Sequence, residues 1–536
     1  MNIGQTSSSS RKTPEFQAVI LAGPGTNLSP LTQDYTRGHG IKETVPKCLL
    51  PIGNRAMLSY PLAWLEAAGI TEVVIVCPFS HRSLISHFVH SESHGSFPSL
   101  NVKIETLEDD ESMGTADVLR EFSGRFQADL VVLPCDFIPP PELSLSTLLD
   151  AYRMDTEEPM LAALLYERGE VVKDGPPLFI AGLNEKTKTL LHVPTEEPQD
   201  DLQLRMSLMW KSPHVRFTSR YLSAHVYVLK RNVLELLSQR TDISSIKEDL
   251  IPWLCRTQYR RATRRKYGPT LVKQGGNPQS LALAHSTIQR AVKGNALATH
   301  RLKYMNGSPG NDEEGDLESE LMSPQSPPTS SAATSEPASP RIHASLMALD
   351  AQPKGGSEAD ISLRCTYVAH KLDNGVATRA NTLKTYFEAN RLSLKEGSYV
   401  APSVHQPSTA AAAANLSSTP GNPTAPPDQL IDRRAQISSD SLIGASTRVG
   451  ERTSIKKTVT GSHCTIGKGV KISGCVLMDF VVVKDGAKLD NTILSRHVVV
   501  EEKSTAKDCE AATGVVLAAG GEYKGERLEQ FDYDDE

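Results

Sequence analysis

The sequence predicts a doubly wound α/β domain joined to a hexapeptide-repeat β-helix, and three observations predict it. From residue 16 to about 263, short apolar runs alternate with amphipathic segments, the rhythm of a mostly parallel sheet covered by helices. The composition then shifts twice, at 306–360 and at 401–428, toward Ser, Pro, Gly and Thr or acids, with few aromatics. From Ile437 an aliphatic residue recurs every six positions, a period that stacks side chains into one continuous core. At 536 residues the chain exceeds what one core usually holds.

Within the first domain, 17–22 reads as the opening strand. Residues 56–68 have helical spacing, with Leu58, Leu62 and Leu65 on one face and Gly69 as the stop. Further strands are expected at 72–77, 102–107, 130–133 and 160–166, with helices at 115–122 and 145–152. Between the low-complexity stretches lies an island with a strand-like Cys365-Thr366-Tyr367-Val368 and a helix-like stretch through Tyr386, Phe387 and Asn390. The repeat runs Ile437, Ile443, Val449, Ile455, with Gly444 and Gly450 following their aliphatic residues, and resumes at Ile466, Ile472 and Met478. The step from Ile455 to Ile466 is one residue short of two sixes, and 483–489 follows another slip. Roughly four coils are expected between Ile437 and about Val516. We divide the chain into a disordered N-terminus (1–15), the α/β domain (16–300), a disordered linker (301–360), a short ordered segment packing with the domains (361–400), a low-complexity linker (401–430), the β-helix (431–520) and an acidic tail (521–536).

The balance of 57 basic against 63 acidic residues argues against nucleic acid or anionic membrane as a dominant partner. Eight cysteines without a C-x-x-C pair, most inside apolar runs, fit a reducing compartment. No run approaches the roughly 20 apolar residues of a membrane span. The expectation is a soluble, cytosolic protein.

The stretch Leu21-Ala22-Gly23-Pro24-Gly25-Thr26-Asn27-Leu28, followed by Pro46-Lys47-Cys48-Leu49-Leu50-Pro51, resembles the sugar-phosphate nucleotidyltransferases, whose pattern is L-A-G-G-x-G-T-R-L and then P-K-x-L-L-P. The resemblance implies a Rossmann-like nucleotidyltransferase domain, a glycine loop whose N–H groups approach a triphosphate, and magnesium held by acidic residues. Gly23, Gly25, Thr26, Lys47, Gly114, Thr115, Asp117 and Asp136 would then form the nucleotide pocket, in vestigial form. Pro24 replaces a glycine and removes a backbone donor. Asn27 replaces an arginine and its charge, and 32–45 is unusually polar for this loop. Asp136 sits where the family places one metal-binding Asp. The second, in a W-x-D-I-G-like segment, is missing after the stretch 244–252. Such losses amount to ~3 kcal/mol each in transition-state stabilisation, so no catalytic residue, cofactor or metal is expected.

Met113-Gly114-Thr115-Ala116-Asp117-Val118-Leu119-Arg120, the 245–252 stretch, Phe387-Glu388-Ala389-Asn390-Arg391, Ser441-Leu442-Ile443-Gly444 and Ser454-Ile455-Lys456-Lys457 resemble the gamma-subunit family of eukaryotic translation initiation factor 2B. This resemblance covers about 16–516 outside the low-complexity stretches. It implies a left-handed β-helix and a non-catalytic role in guanine nucleotide exchange on initiation factor 2. It also implies direct pairing with the epsilon subunit, and alpha, beta and delta subunits in the full complex. The exchange-catalysing domain of that family belongs to epsilon, and the resemblance implies none after the β-helix here. The alternatives are an active mannose-1-phosphate guanylyltransferase-like enzyme and a scaffold of another kind.

Other features admit plainer readings. Gly114, Thr115 and Asp117 equally make a helix start with Thr115 as cap, the preferred reading, and Asp136 equally terminates a strand. His463 and Cys464 are adjacent and so face opposite ways in a β-helix, which makes Cys464 core rather than a metal ligand. The basic run Arg256, Arg260, Arg261, Arg264, Arg265 and Lys266 reads as a solvated insert rather than an RNA site, because only Tyr259 and Tyr267 accompany it. Ser323-Pro324, Ser326-Pro327 and Ser339-Pro340 are candidate phosphorylation sites.

Overall fold

The computed structural model describes residues 14–37, 41–91, 97–109, 113–155, 158–168, 180–194, 204–272, 363–371, 373, 377–394 and 431–529. All of these lie in one compact unit; the other unit, Ile288–Ile361, falls outside them. The linkers 301–360 and 401–430, the Ser-Pro pairs and the end of the acidic tail also lie outside the described residues.

Ten strands make the first sheet: β1 (Phe16–Leu21), β2 (Glu72–Pro78), β3 (Asn101–Leu107), β4 (Asp129–Pro134), β5 (Leu161–Glu167), β6 (Ala181–Asn184), β7 (Thr189–His192), β8 (Arg216–Thr218), β9 (Tyr221–Leu229) and β10 (Cys365–His370). Their order is β8-β6-β7-β10-β5-β9-β4-β1-β2-β3. The helices are α1 (Ser59–Ala67), α2 (Arg82–His90), α3 (Thr115–Glu121), α4 (Leu145–Met154), α5 (Met206–Lys211), α6 (Asn232–Gln239), α7 (Ile251–Thr257), α8 (Arg261–Val272) and α9 (Leu383–Ser393).

Apart from Gln17, β1 is apolar on both faces and buried nearly throughout, as a central strand covered by helices must be. It runs parallel to β2 and β4, and β2 to β3. The expected mostly parallel sheet is found only in this half. β9 enters antiparallel to both β4 and β5, and β6, β7 and β8 form an antiparallel edge. β10 is parallel to β5 and antiparallel to β7, so the strand of the island is an internal member of this sheet.

α1 begins three residues later than the spacing suggested, because Arg55–Ala56 pairs with Pro51–Ile52 in a short hairpin. It stops at Gly69, whose φ of 75° lets its N–H bond the Glu66 carbonyl while Ile70 N–H bonds that of Leu65. The basic run is no insert: Arg256 lies in α7, and Arg261 to Lys266 open α8.

The second layer system is a parallel β-helix of three sheets, with six, six and five strands between Gln436–Ile437 and Arg527–Leu528. It is longer than the four coils expected, and its last strands, Glu522–Lys524 and Arg527–Leu528, lie in the segment expected to be an acidic tail. Its register removes the apparent slips. Ile437 pairs with Ile455, but Ile455 pairs with Ile472, Ile472 with Leu489 and Leu489 with Ala506. After the first coil the repeat is therefore 17 residues, with one side a residue shorter than the other two. The inward residue on the short side is Leu477, in the β-helix core with Cys464. Met478, taken from the six-residue period as inward, points out instead and packs against the first domain.

That packing joins the two layer systems. Val476, Met478 and Ile493 share an apolar cluster with Leu28, Leu31, Ile52 and Met57, and with Leu383, Tyr386 and Ala389 of α9. Asn54 Nδ2 donates to the Thr460 carbonyl at 2.8 Å across this contact, and on the first-domain side the Tyr386 hydroxyl donates to the Pro51 carbonyl. A second contact is a column of rings. His463, Phe480 and His497 occupy equivalent corners of successive coils and stack at 5.1 and 5.0 Å. The corresponding corner of the next coil is Gly514, and the ring of Tyr35 fills its place, 6.3 Å from His497 and nearly parallel to it. The polar 32–45 segment thus contains an antiparallel pair, Tyr35–Arg37 with Ile41–Glu43, and one of its rings caps the column.

Candidate functional site

The glycine loop leaves β1 after Leu21, where Ala22 N–H still bonds the Val76 carbonyl at 2.9 Å. Gly23, Pro24, Thr26 and Asn27 are exposed, and nothing lies within 4 Å of where a Gly23 Cβ would be. Gly25 is different. Its φ is 86°, and a Cβ there would meet Lys47 Cβ at 2.7 Å, so the loop closes directly over the lysine stem. Thr32 Oγ1 donates to the Gly25 carbonyl at 3.0 Å and steadies that approach.

Lys47 follows Pro46 on a short helical turn, Lys47–Leu49, and is buried. Asp136 lies two residues beyond β4 and is 2% exposed. Lys47 Nζ donates to Asp136 Oδ2 and to Asn381 Oδ1, both at 2.6 Å. Arg379 completes the group, its Nε on Asp136 Oδ1 at 2.9 Å and its Nη2 on Oδ2 at 3.0 Å. The backbone brings Arg379 there: Thr378–Arg379 pairs antiparallel with Phe137–Ile138, and Ala380 N–H bonds the Asp136 carbonyl. Burial alone would raise the Asp136 pKa, but the charges of Arg379 and Lys47 outweigh it and hold the carboxyl far below its ordinary range. Burial would likewise lower the pKa of Arg379, and the Asp136 charge raises it instead. His225, at φ 55°, is kept well below the usual imidazole range by burial and then by Arg379 and Lys247. It stands neutral beside the pair.

The nucleotidyltransferase resemblance implies a magnesium ion at Asp136, and the residues present do not fit one. Mg²⁺ takes several oxygen ligands in octahedral array. Here both oxygens of the carboxylate are bound to cations, and no cluster of three His, Cys, Asp or Glu groups exists among the described residues. The segment facing Asp136 is Ala377-Thr378-Arg379-Ala380-Asn381. Matched to the W-x-D-I-G pattern position by position, it puts Arg379 where that pattern has its Asp. Sequence reasoning sought that segment just after 244–252 and found nothing. It lies more than a hundred residues later, shortly before the Phe387-Glu388-Ala389-Asn390 landmark, and counting back from there reaches Arg379.

Gly114, Thr115 and Asp117 open α3, with Gly114 rather than Thr115 as the cap. A Cβ at Gly114 would lie 2.3 Å from the Ser244 carbonyl oxygen, so the loop before α7 covers this helix start. Ala116 N–H bonds the Ser244 carbonyl, and Thr115 Oγ1 accepts from Ile246 N–H at 2.9 Å. The Asp117 carboxylate accepts from Gly114 N–H at 3.2 Å and Ser244 Oγ at 2.6 Å, and pairs with Arg120. It faces these groups, whereas Asp136 faces Lys47 and Arg379. An open cleft of about 500 Å³ lies past the C-terminal ends of β2 and β3, lined by Phe79, Thr106, Leu107, Glu108 and Asp109, none of them a predicted site residue.

Comparison with known proteins bears on both layer systems. Residues 17–267 match the nucleotidyl transferase family model, and 426–522 match that of the EIF2B subunit epsilon LbH domain. The eIF2B gamma subunit of Schizosaccharomyces pombe is 37% identical over 255 residues, 46% of this chain and 53% of that protein. The gamma subunit of Dictyostelium discoideum is 22% identical over 481 residues, 84% of this chain and 88% of that protein. This chain is similar to eIF2B gamma subunits.

The likeness to gamma subunits extends through both the Rossmann-like nucleotidyltransferase domain and the left-handed β-helix. A mannose-1-phosphate guanyltransferase of Aspergillus oryzae is 24% identical over 243 residues, 44% of this chain and 55% of that protein. The chain spans about half the length of the S. pombe gamma subunit and of the A. oryzae enzyme. No helix among the described residues is long and apolar enough to cross a membrane.

Proposed function

We propose that this chain is a non-catalytic, gamma-type subunit of the initiation factor 2B complex in the cytosol. It supports guanine nucleotide exchange on initiation factor 2 by binding the epsilon subunit directly, with alpha, beta and delta subunits completing the assembly. The observation that carries the reading is the closed network at Asp136, whose oxygens are taken by Lys47 and Arg379, in a chain aligned with a gamma subunit over 84% of its length. In-line phosphoryl transfer draws on cations that meet the developing charge of the reacting phosphate. Here the two cations are held by protein groups, and Asn27 brings no third charge to the loop. In this reading Gly23, Gly25, Thr26, Lys47, Gly114, Thr115, Asp117 and Asp136 are the remains of a nucleotide pocket with structural duties.

The test is co-expression with a tagged epsilon subunit, together with an assay of pyrophosphate release from GTP and mannose-1-phosphate. The expected result is co-elution in a defined ratio and no release above background. A chain that elutes alone and releases pyrophosphate would overturn the proposal in favour of a sugar-phosphate guanylyltransferase.

A further inference from the structure

One face of the first domain takes no part in the site or in the contact with the β-helix. Leu208 of α5 packs on Tyr259 and Leu191, and Lys211 Nζ donates to the Gln258 carbonyl at 2.7 Å. These contacts hold α5 against the junction of α7 and α8. With Leu208 turned inward, Met206 and Trp210 are left 63% and 81% exposed.

Three guanidiniums gather where α5 meets this junction. Arg205 immediately precedes α5. Arg256 and Arg260 are a helical turn apart, Arg260 N–H bonding the Arg256 carbonyl at 3.1 Å, a spacing that puts like charges on one face and is itself destabilising. The Arg260 pKa is held below its ordinary range, by partial burial first and then by the charges of Arg205 and Arg256. Among the described residues no carboxylate forms an ion pair with Arg205, Arg256 or Arg260, in contrast to Arg216 with Glu185 and Arg240 with Asp242 nearby in the chain.

We propose that this face docks an acidic segment of a partner protein, one that carries an aliphatic or aromatic side chain beside its carboxylates. The carboxylates meet Arg205, Arg256 and Arg260 in bidentate pairs, and the apolar side chain lies on Trp210 and Met206. Nucleic acid fits less well. Successive bases need successive open ring faces, and the other rings here are engaged: Tyr259 is buried, Trp253 lies under Arg240 at 5.2 Å and Tyr267 under Lys266 at 5.0 Å. The chain's net charge of −6 also repels a long polyanion more than a short acidic peptide.

The test uses the full chain and fluorescence anisotropy, with two probes: a labelled peptide of repeated Asp-Glu-Leu units and a labelled oligouridine of matched charge. The expected result is saturable peptide binding that weakens as salt rises, falls about tenfold or more in R256E/R260E, and falls a few-fold in W210A. R256Q/R260Q serves if the charge reversal shifts the melting curve. Peptide binding that is absent, or unchanged in these variants, overturns the proposal, as does tighter binding of the oligouridine.

Discussion

Gly514→Ala tests the ring column. A Cβ at 514 falls 2.0 Å from Tyr35 Cε2, well inside contact distance, so the ring has to leave its place on His497. An aromatic pair contributes roughly 0.5–1.5 kcal/mol beyond its buried area. Gly514 has φ 76°, a left-handed conformation that costs an L-residue about 1–2 kcal/mol. The preceding corners carry that conformation with full side chains, at His463, Phe480 and His497, so space rather than backbone angle is the stricter demand on 514. The sum is about 1.5–3.5 kcal/mol for Gly514→Ala. In a Tyr35→Ala background only the backbone term of about 1–2 kcal/mol remains, giving a coupling of about 1 kcal/mol between the two sites. Urea unfolding of the four proteins, read as shifts in midpoint at constant slope, measures it. Equal costs of Gly514→Ala with and without Tyr35 would refute the reasoning, since the ring would then not occupy the space of the missing side chain.

The remaining expectations concern the ion network, the thiols and the β-helix register. Asp136→Asn leaves Lys47 and Arg379 buried without their carboxylate and should cost about 3–5 kcal/mol by denaturant unfolding. Asp136 has a folded pKa below its unfolded value of about 3.9. Its contribution is therefore complete above about pH 4 and lost as pH falls toward the depressed folded value, so Asp136→Asn should lack that portion of the acid unfolding profile. Millimolar Mg²⁺ should leave the melting temperature of the unmodified chain unchanged, and a rise beyond an ionic-strength control would contradict the metal misfit. All eight cysteines are free and buried, and burial foremost pushes Cys135 and Cys464 up to about 12. They should be silent to a thiol reagent in the native state and react together in denaturant. Leu477→Ala should cost about 2–5 kcal/mol by opening the β-helix core, whereas Met478→Ala should instead loosen the contact with the first domain, read as faster proteolysis between the two.

What was legible in the sequence follows the range of the interaction that each residue makes. The stop at Gly69 is governed by neighbours a few positions away, its N–H and that of Ile70 bonding the Glu66 and Leu65 carbonyls, and it is legible. The six-residue period is legible as a β-helix, yet it puts Met478 inward, because one side of each coil holds one residue fewer. That side is visible only when coils are stacked, as Ile472 pairs with Leu489 rather than with a residue eighteen along. Arg379 escaped because its partner Asp136 lies 243 positions away and the intervening chain hides the relation. Tyr35 escaped for a similar reason: nothing local marks a tyrosine as the substitute for a side chain missing at Gly514.

The placement of β10 bears on how this chain is made. Until Cys365–His370 leaves the ribosome, β5 and β7 have no strand to join them, and each presents an unpaired edge on its β10 side. About 100 residues separate the end of α8 from the end of β10, and at about 5–20 residues per second their synthesis takes roughly 5–20 s. For that interval the nascent chain holds an open slot in the middle of a sheet. Arg379 and Asn381 arrive just afterwards, so Lys47 and Asp136 wait through the same interval for the rest of their network. Vectorial folding of the first half is therefore completed from its C-terminal side, and a fragment stopped at residue 272 should recruit chaperones or aggregate where the whole chain does not.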